Sequence, residues 1–366
     1  MRVKKAYAVV LILSLLIVDE SSPFLLRPAS ANLLSIIPWG LRILRALRTL
    51  NFSKISKVLD KLRSFLSSNG GRIRIGRFVA GISKIKNYFS FFGYLNSTLD
   101  SDFTDEFSAE LESTIELFQN TFHLNVTGQP DDATVSLITL PRCALPDVNI
   151  NGPSAVTAGR TTSFTKWWPE GKNELTYAFS PENETSTSVK DVFADAFRRW
   201  SEVTKLNFSE TTSFNEASIQ IMFSSLDGNL GVVGGAWPDN TTTSWDVVLD
   251  SDEKWALPSE DMTESDELDL ESAVMHQMGH VLGLSHSAIE EAIMYPFIVP
   301  SKKRKVDFAK DDLEKIQQLY SAKSNSTELL QGESPSSDGA GSGSGIGPRT
   351  DVVSATWLGI ALLFLF

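Results

Sequence analysis

Three of the four histidines in this 366-residue chain fall inside one run, His276-Gln277-Met278-Gly279-His280-Val281-Leu282-Gly283-Leu284-Ser285-His286. On a helix His276 and His280 stand four apart and project from one face, where both imidazoles reach a common ion at ~2.0–2.1 Å. Gly283 allows a sharp turn, after which His286 returns as a third ligand. Three neutral imidazoles leave one tetrahedral position open, the arrangement of a catalytic zinc rather than a structural one. The fold must therefore supply a helix that stops at Gly283.

Both chain ends read as targeting segments. Arg2, Lys4 and Lys5 precede the apolar run Ala6 to Val18, and Ala29-Ser30-Ala31 is an A-x-A cleavage site, so residues 1–31 are expected to be a secretory signal peptide. The alternative, an N-terminal membrane anchor, has a run short of the ~20 residues a span needs. Near the other end Ser336, Ser337, Gly339, Ala340, Gly341 and Ser342 precede a spacer and the apolar tail Val352 to Phe366. That is the layout of a GPI-anchor signal over 346–366, attaching the protein to the membrane through a lipid; a transmembrane helix is the alternative. Sequons at Asn51, Asn96, Asn125, Asn183, Asn207, Asn240 and Asn325 fit a secretory route to the cell surface or extracellular matrix. Cys143 is the single cysteine, so it forms no internal disulfide, and a lone thiol in an oxidising compartment needs another task.

Charge is divided unevenly along the chain. Asn32 to Asp100 holds 12 Lys/Arg against 2 Asp/Glu, a balance of +10, whereas 101–366 carries −24. The two parts attract each other, or the basic one seeks an anionic cell-surface polymer. Leu41, Leu44 and Leu47 alternate with Arg42, Arg45 and Arg48 at helical spacing, giving an amphipathic helix with a basic face. Its simplest reading is a surface helix packed on its own protein. Nucleic acid is not expected after a signal peptide, and Lys302-Lys303-Arg304-Lys305 reads as a solvated loop.

Apolar spacing predicts helices over Leu111 to Phe122 and Ala133 to Ile138, separated by the turn Gly128-Gln129-Pro130-Asp131. Leu175 to Phe179, Ser218 to Phe223 and Val247-Val248-Leu249 read as strands. Ser188 to Val203 reads as a helix with Phe193, Phe197 and Trp200 on one face, and the last helices are Leu270 to Leu282 and Asp307 to Tyr320. A Ser/Gly-rich linker, 323–345, follows.

The histidine run followed by Ala292-Ile293-Met294-Tyr295-Pro296 resembles the zinc motif and Met-turn of metzincins. Pro141-Arg142-Cys143-Ala144-Leu145-Pro146-Asp147 resembles the cysteine-switch motif of matrix metalloproteinases. The resemblance covers roughly Phe92 to Tyr320 and is closest to plant members without a hemopexin-like repeat. It implies an α+β fold: a metzincin catalytic domain over 150–322, with a mixed, mostly parallel twisted sheet and three helices. A small helical peptidoglycan-binding-like prodomain, 92–149, precedes it, after a basic extension, 32–91. It also implies that the Cys143 thiolate caps the zinc in a latent form, that Met294 is the floor under the metal, and that a protein or peptide is the substrate. Asp227, Asp250 and Glu253 resemble the calcium loop of the family.

Two features depart from the family pattern. Its second zinc should be absent, because Gly235 and Val248 occupy matching positions and His123 lies in the prodomain. Where the family has the glutamate that takes a proton from the attacking water, this chain has Gln277, whose amide orients water but accepts no proton at neutral pH. Two functions follow: a zinc endopeptidase of low turnover, or a disabled relative that binds peptides or inhibitors uncut. Pro296 to Val306 suggests an apolar side-chain preference; the sequence gives no oligomeric state.

Overall fold

The computed structural model describes residues 52–68, 71–95, 103–148, 167–169, 171–239, 243–258, 264–301 and 304–320. The expected signal peptide, the Leu41–Arg48 helix, the 323–345 linker and the C-terminal anchor signal lie outside these residues.

The N-terminal unit is helical. Helix α1 (Phe52–Ser68) buries Ile55, Leu59, Leu62 and Leu66, a stripe at three- and four-residue spacing. Strand β1 (Arg77–Phe78) leads into α2 (Ile82–Phe91), which buries Ile85, Tyr88 and Phe89. Strand β2 (Glu106–Phe107) pairs antiparallel with β1 and precedes α3 (Ala109–Thr121), whose cap Ser108 accepts from the Leu111 amide at 3.2 Å. Helix α4 (Asp132–Ile138) is capped in the same way by Asp131. All four helices bury their stripes in one apolar cluster, each large side chain contributing ~1.5–3 kcal/mol. Helices α1 and α2 lie in the stretch read from the sequence as a basic extension, so the packed unit extends further toward the N-terminus than Phe92.

The second unit is built on a six-stranded sheet with the order β3-β7-β8-β6-β4-β5. Its strands are β3 (Arg142–Cys143), β4 (Glu174–Phe179), β5 (Asn207–Glu210), β6 (Ile219–Ser224), β7 (Val232–Pro238) and β8 (Trp245–Asp250). Only β7 and β8 run antiparallel, so the sheet is mixed and mostly parallel. Helix α5 (Thr187–Val203) covers one face with Val192, Phe193, Ala196, Phe197 and Trp200, and Phe197 stacks on Tyr177 of β4 at 4.2 Å between ring centres. The short parallel pair β9 (Lys254–Ala256) and β10 (Glu267–Asp269) feeds α6 (Leu270–Val281). Helix α6 is buried nearly all round, as a helix apolar on every side must be. The Trp200 indole of α5 donates to Met275 O of α6 at 3.1 Å, and α7 (Lys310–Tyr320) closes the core. The α+β architecture and its three C-terminal helices match the fold implied by the resemblance. Among the described residues no helix is long and apolar enough to cross a membrane.

Candidate metal centre

Helix α6 carries the histidines and dictates where they meet. Asp269 caps its start, with Oδ1 accepting from the Ser272 amide at 2.7 Å. At its end Gly283 takes φ 97°, while the Leu284 amide donates to Gly279 O at 2.9 Å and the Gly283 amide to His280 O at 2.8 Å. This left-handed turn swings the chain back so that His286 faces His276 and His280. Gly279 faces the methionine turn: a Cβ there would stand 2.2 Å from Met294 Sδ. Buried Asp312 of α7 holds that turn, accepting from the Ile293 amide at 2.8 Å and the Met294 amide at 3.2 Å.

The three Nε2 atoms converge, with His280 3.0 Å from His276 and 3.1 Å from His286. Ligands ~2.0–2.1 Å from a tetrahedral zinc stand about 3.3–3.4 Å apart, so the donor set fits that ion with a small expansion. Each Nδ1 is turned outward to an acceptor. His276 meets Ile293 O at 2.8 Å, His280 meets Leu284 O at 2.9 Å and His286 meets Asp147 Oδ1 at 2.7 Å. Acceptors there fix the proton on Nδ1 and leave three lone pairs aimed at one point, which suits a cation. Burial pushes the pKa of His276 down to about 4 and that of His280 well below the ordinary value, so both are neutral donors. Burial lowers His286 too, but the bond to Asp147 and the nearby Cys143 outweigh it and raise its pKa.

The fourth donor is Cys143 Sγ, 3.5 Å from His280 Nε2, and the four candidate ligand atoms lie within 4.8 Å of one another. Burial alone would raise the thiol, yet His276 and His286 beside it bring its pKa down to about 5. Main-chain bonds deliver it: Arg142 N donates to Gly231 O at 3.0 Å, Cys143 N to Pro296 O at 2.9 Å and Ala144 N to Gly234 O at 2.8 Å. Strand β3 thus lies as an added parallel strand on β7, and Arg142 also bridges Phe297 on the other wall. The Arg142 guanidinium is fully buried between Phe92 and Phe297, 3.5 and 4.7 Å from their ring centres, and binds Tyr88 Oη at 2.9 Å and Asp147 Oδ1 at 2.5 Å. Burial opposes its charge, but Asp147 more than offsets this.

Gln277 is fully buried beside the sulfur, with Nε2 3.6 Å from Cys143 Sγ. Asp227, Asp250 and Glu253 are placed together in another loop region, binding backbone amides. Asp250 accepts from Leu226 and Asp227, Glu253 from Leu230 and Gly231, and Asp227 from Val232. Among the described residues only the Cys143–histidine group brings three or more candidate ligand atoms within 4.8 Å. Gly235 and Val248 pair across β7 and β8; a Cβ on Gly235 would meet the Trp237 ring at 2.4 Å and Ala144 Cβ at 3.0 Å. His123 is exposed on the helical unit. Beside His276 opens a pocket lined by Ile293, Tyr295, Phe297, Ile298 and Lys305, with Glu290 and Asp269 also on its wall. The apolar lining follows the sequence reading; Lys305, which burial lowers in pKa, adds a cation that it did not include.

Strand β3, held by main-chain bonds, thus lies over three converging imidazoles. Residues 166–321 match the Matrixin family, and residues 79–138 match the peptidoglycan binding domain family. The chain is 40% identical over 281 residues to Metalloendoproteinase 2-MMP of Arabidopsis thaliana, covering 68% of this chain and 73% of that protein. It is 39% identical over 261 residues to Metalloendoproteinase 1 of Glycine max, covering 67% and 83%. The protein therefore belongs to the matrix metalloproteinase family of metalloendopeptidases.

Proposed function

We propose that this chain is a secreted, cell-surface zinc endopeptidase held latent by Cys143, with turnover strongly reduced by Gln277. The observation that carries the reading is strand β3, which fills the cleft with the backbone of an extended peptide and sets its sulfur among His276, His280 and His286. A substrate would use the same main-chain groups of β7 and the 296–298 wall, and place a side chain in the pocket beside His276. Zinc held by His276, His280 and His286 would supply Lewis acidity toward a water and the scissile carbonyl. Gln277 could orient such a water by hydrogen bonding but would take no proton from it. A positioned base contributes ~10²–10⁴-fold, so turnover falls by about that factor.

The substitution also favours the second reading, a protein that binds peptides without cutting them. A peptide-cleavage assay on the zinc-loaded chain freed of its prodomain, beside Gln277→Glu, separates the two. Turnover in both proteins, greater by ~10²–10⁴-fold with glutamate, supports the protease; none with Gln277 leaves the peptide binder. Mercurial treatment or Cys143→Ser is expected to expose the site without self-cleavage, and adding Gln277→Glu to restore it.

Calcium at Asp227, Asp250 and Glu253, and a lipid anchor attached near the C-terminus, belong to the same proposal. So does an anionic cell-surface polymer. Among the described residues the ion pairs of the basic stretch, Arg63 with Asp60 and Asp132 and Arg72 with Glu112, stay within the helical unit. The exposure of Arg74 and Arg77 supports that reading.

A further inference from the structure

We infer that Gln277, besides removing the base, is a positioning residue that holds the Cys143 sulfur in place by donating a hydrogen bond to it. The inference rests on the latent state proposed above. The Gln277 side chain is fully buried, and a buried amide needs a partner. The structure shows one for its NH₂ group in Cys143 Sγ at 3.6 Å, with Oε1 further off at 3.9 Å. A metal-bound thiolate accepts hydrogen bonds and donates none, so the orientation with NH₂ toward sulfur is the satisfied one.

A second donor, the Leu145 amide at 3.5 Å, reaches the same sulfur from within the cysteine-bearing segment. Gln277 reaches it from the opposite side of the cleft, 134 residues away in sequence. It alone of the two ties the segment to the histidine helix. Glutamate, the residue the family pattern places here, has the same length but no amide N–H to offer the sulfur. The exchange therefore adds an amide donor to the sulfur, and latency deepens through the residue that slows turnover.

Because Cys143 is 1% exposed, a thiol reagent reaches it only when the segment lifts, and the labelling rate reports that opening. The experiment compares the full-length zinc-loaded protein with Gln277→Met. Methionine keeps the length and removes the donor. A hydrogen bond to a charged group is worth a factor of about ten or more, so Gln277→Met should label about tenfold faster at a temperature where both proteins remain folded. Labelling of Gln277→Met at the rate of the Gln277 protein would overturn the inference. Metal analysis and peptide cleavage on the same samples test the underlying reading separately: rapid cleavage with Gln277 defeats low turnover and leaves the labelling comparison intact.

Discussion

Asp147 Oδ1 binds both His286 Nδ1 and the Arg142 guanidinium, so one carboxylate on the cysteine-bearing segment anchors that segment and orients a metal-facing imidazole. The segment brings a supporting acceptor for the third histidine as well as a fourth donor atom.

Outer acceptors of this kind are worth ~10–100-fold in metal affinity. We expect Asp147→Asn to weaken zinc binding by a factor in that range, read by competition with a coloured chelator. The chain freed of its prodomain loses the Cys143 donor along with Asp147 and should bind zinc more weakly still. Equal affinity in all three proteins would mean that the bond is incidental.

Asp227 Oδ2 is buried without a hydrogen-bond partner, and burial, with Asp250 and Glu253 nearby, pushes this carboxyl up to about 7. A calcium ion would satisfy it. Millimolar calcium should raise the melting temperature at neutral pH, and Asp227→Asn should abolish most of the gain. A calcium-insensitive melt would remove the ion from this loop.

Asp246 of β8 is raised to about 6, by burial first and then by Asp239. The folded protein therefore holds this proton more tightly than the unfolded chain. Its contribution to stability is full below the ordinary carboxylate pKa of 3.8 and is lost as pH rises through about 6. Melting temperatures between those values should fall less steeply in Asp246→Asn, which should be the more stable protein at neutral pH. A steeper fall in the variant would reverse the assignment.

Gly279 has no room for a side chain against Met294 Sδ. Gly279→Ala should destabilise the protein by about 1–3 kcal/mol through overpacking under the metal centre, measured by urea unfolding. An unchanged midpoint would show that Met294 yields freely.

Helix α5 was legible because Phe193, Phe197 and Trp200 repeat at helical spacing, and α6 because His276 and His280 stand four apart and Gly283 ends it. Strand β7 was not: it is buried on both faces and carries Gly234-Gly235, so it shows no alternation. Helices α1 and α2 were hidden by their Lys and Arg content, which drew the eye to charge rather than to Ile55, Leu59 and Leu62. The histidines announce themselves by local spacing. The pairing of Asp147 with His286 spans 139 residues and that of Gln277 with Cys143 spans 134, and no local periodicity encodes such distances.

The apolar cluster of the helical unit also contains Leu226, Val232, Trp237, Val248 and Phe297 from the second unit. Phe122, the C-terminal cap of α3, meets Tyr295 and Phe297 edge to face at 5.9 and 5.2 Å. Such a boundary is a seam through common oil, and the two sides share one core. An intact chain should give a single calorimetric endotherm in which the cover and the cleft melt as one. A backbone cut lets the cover depart altogether, and the aromatic wall it then bares is a sticky surface on which the first incoming peptide would settle.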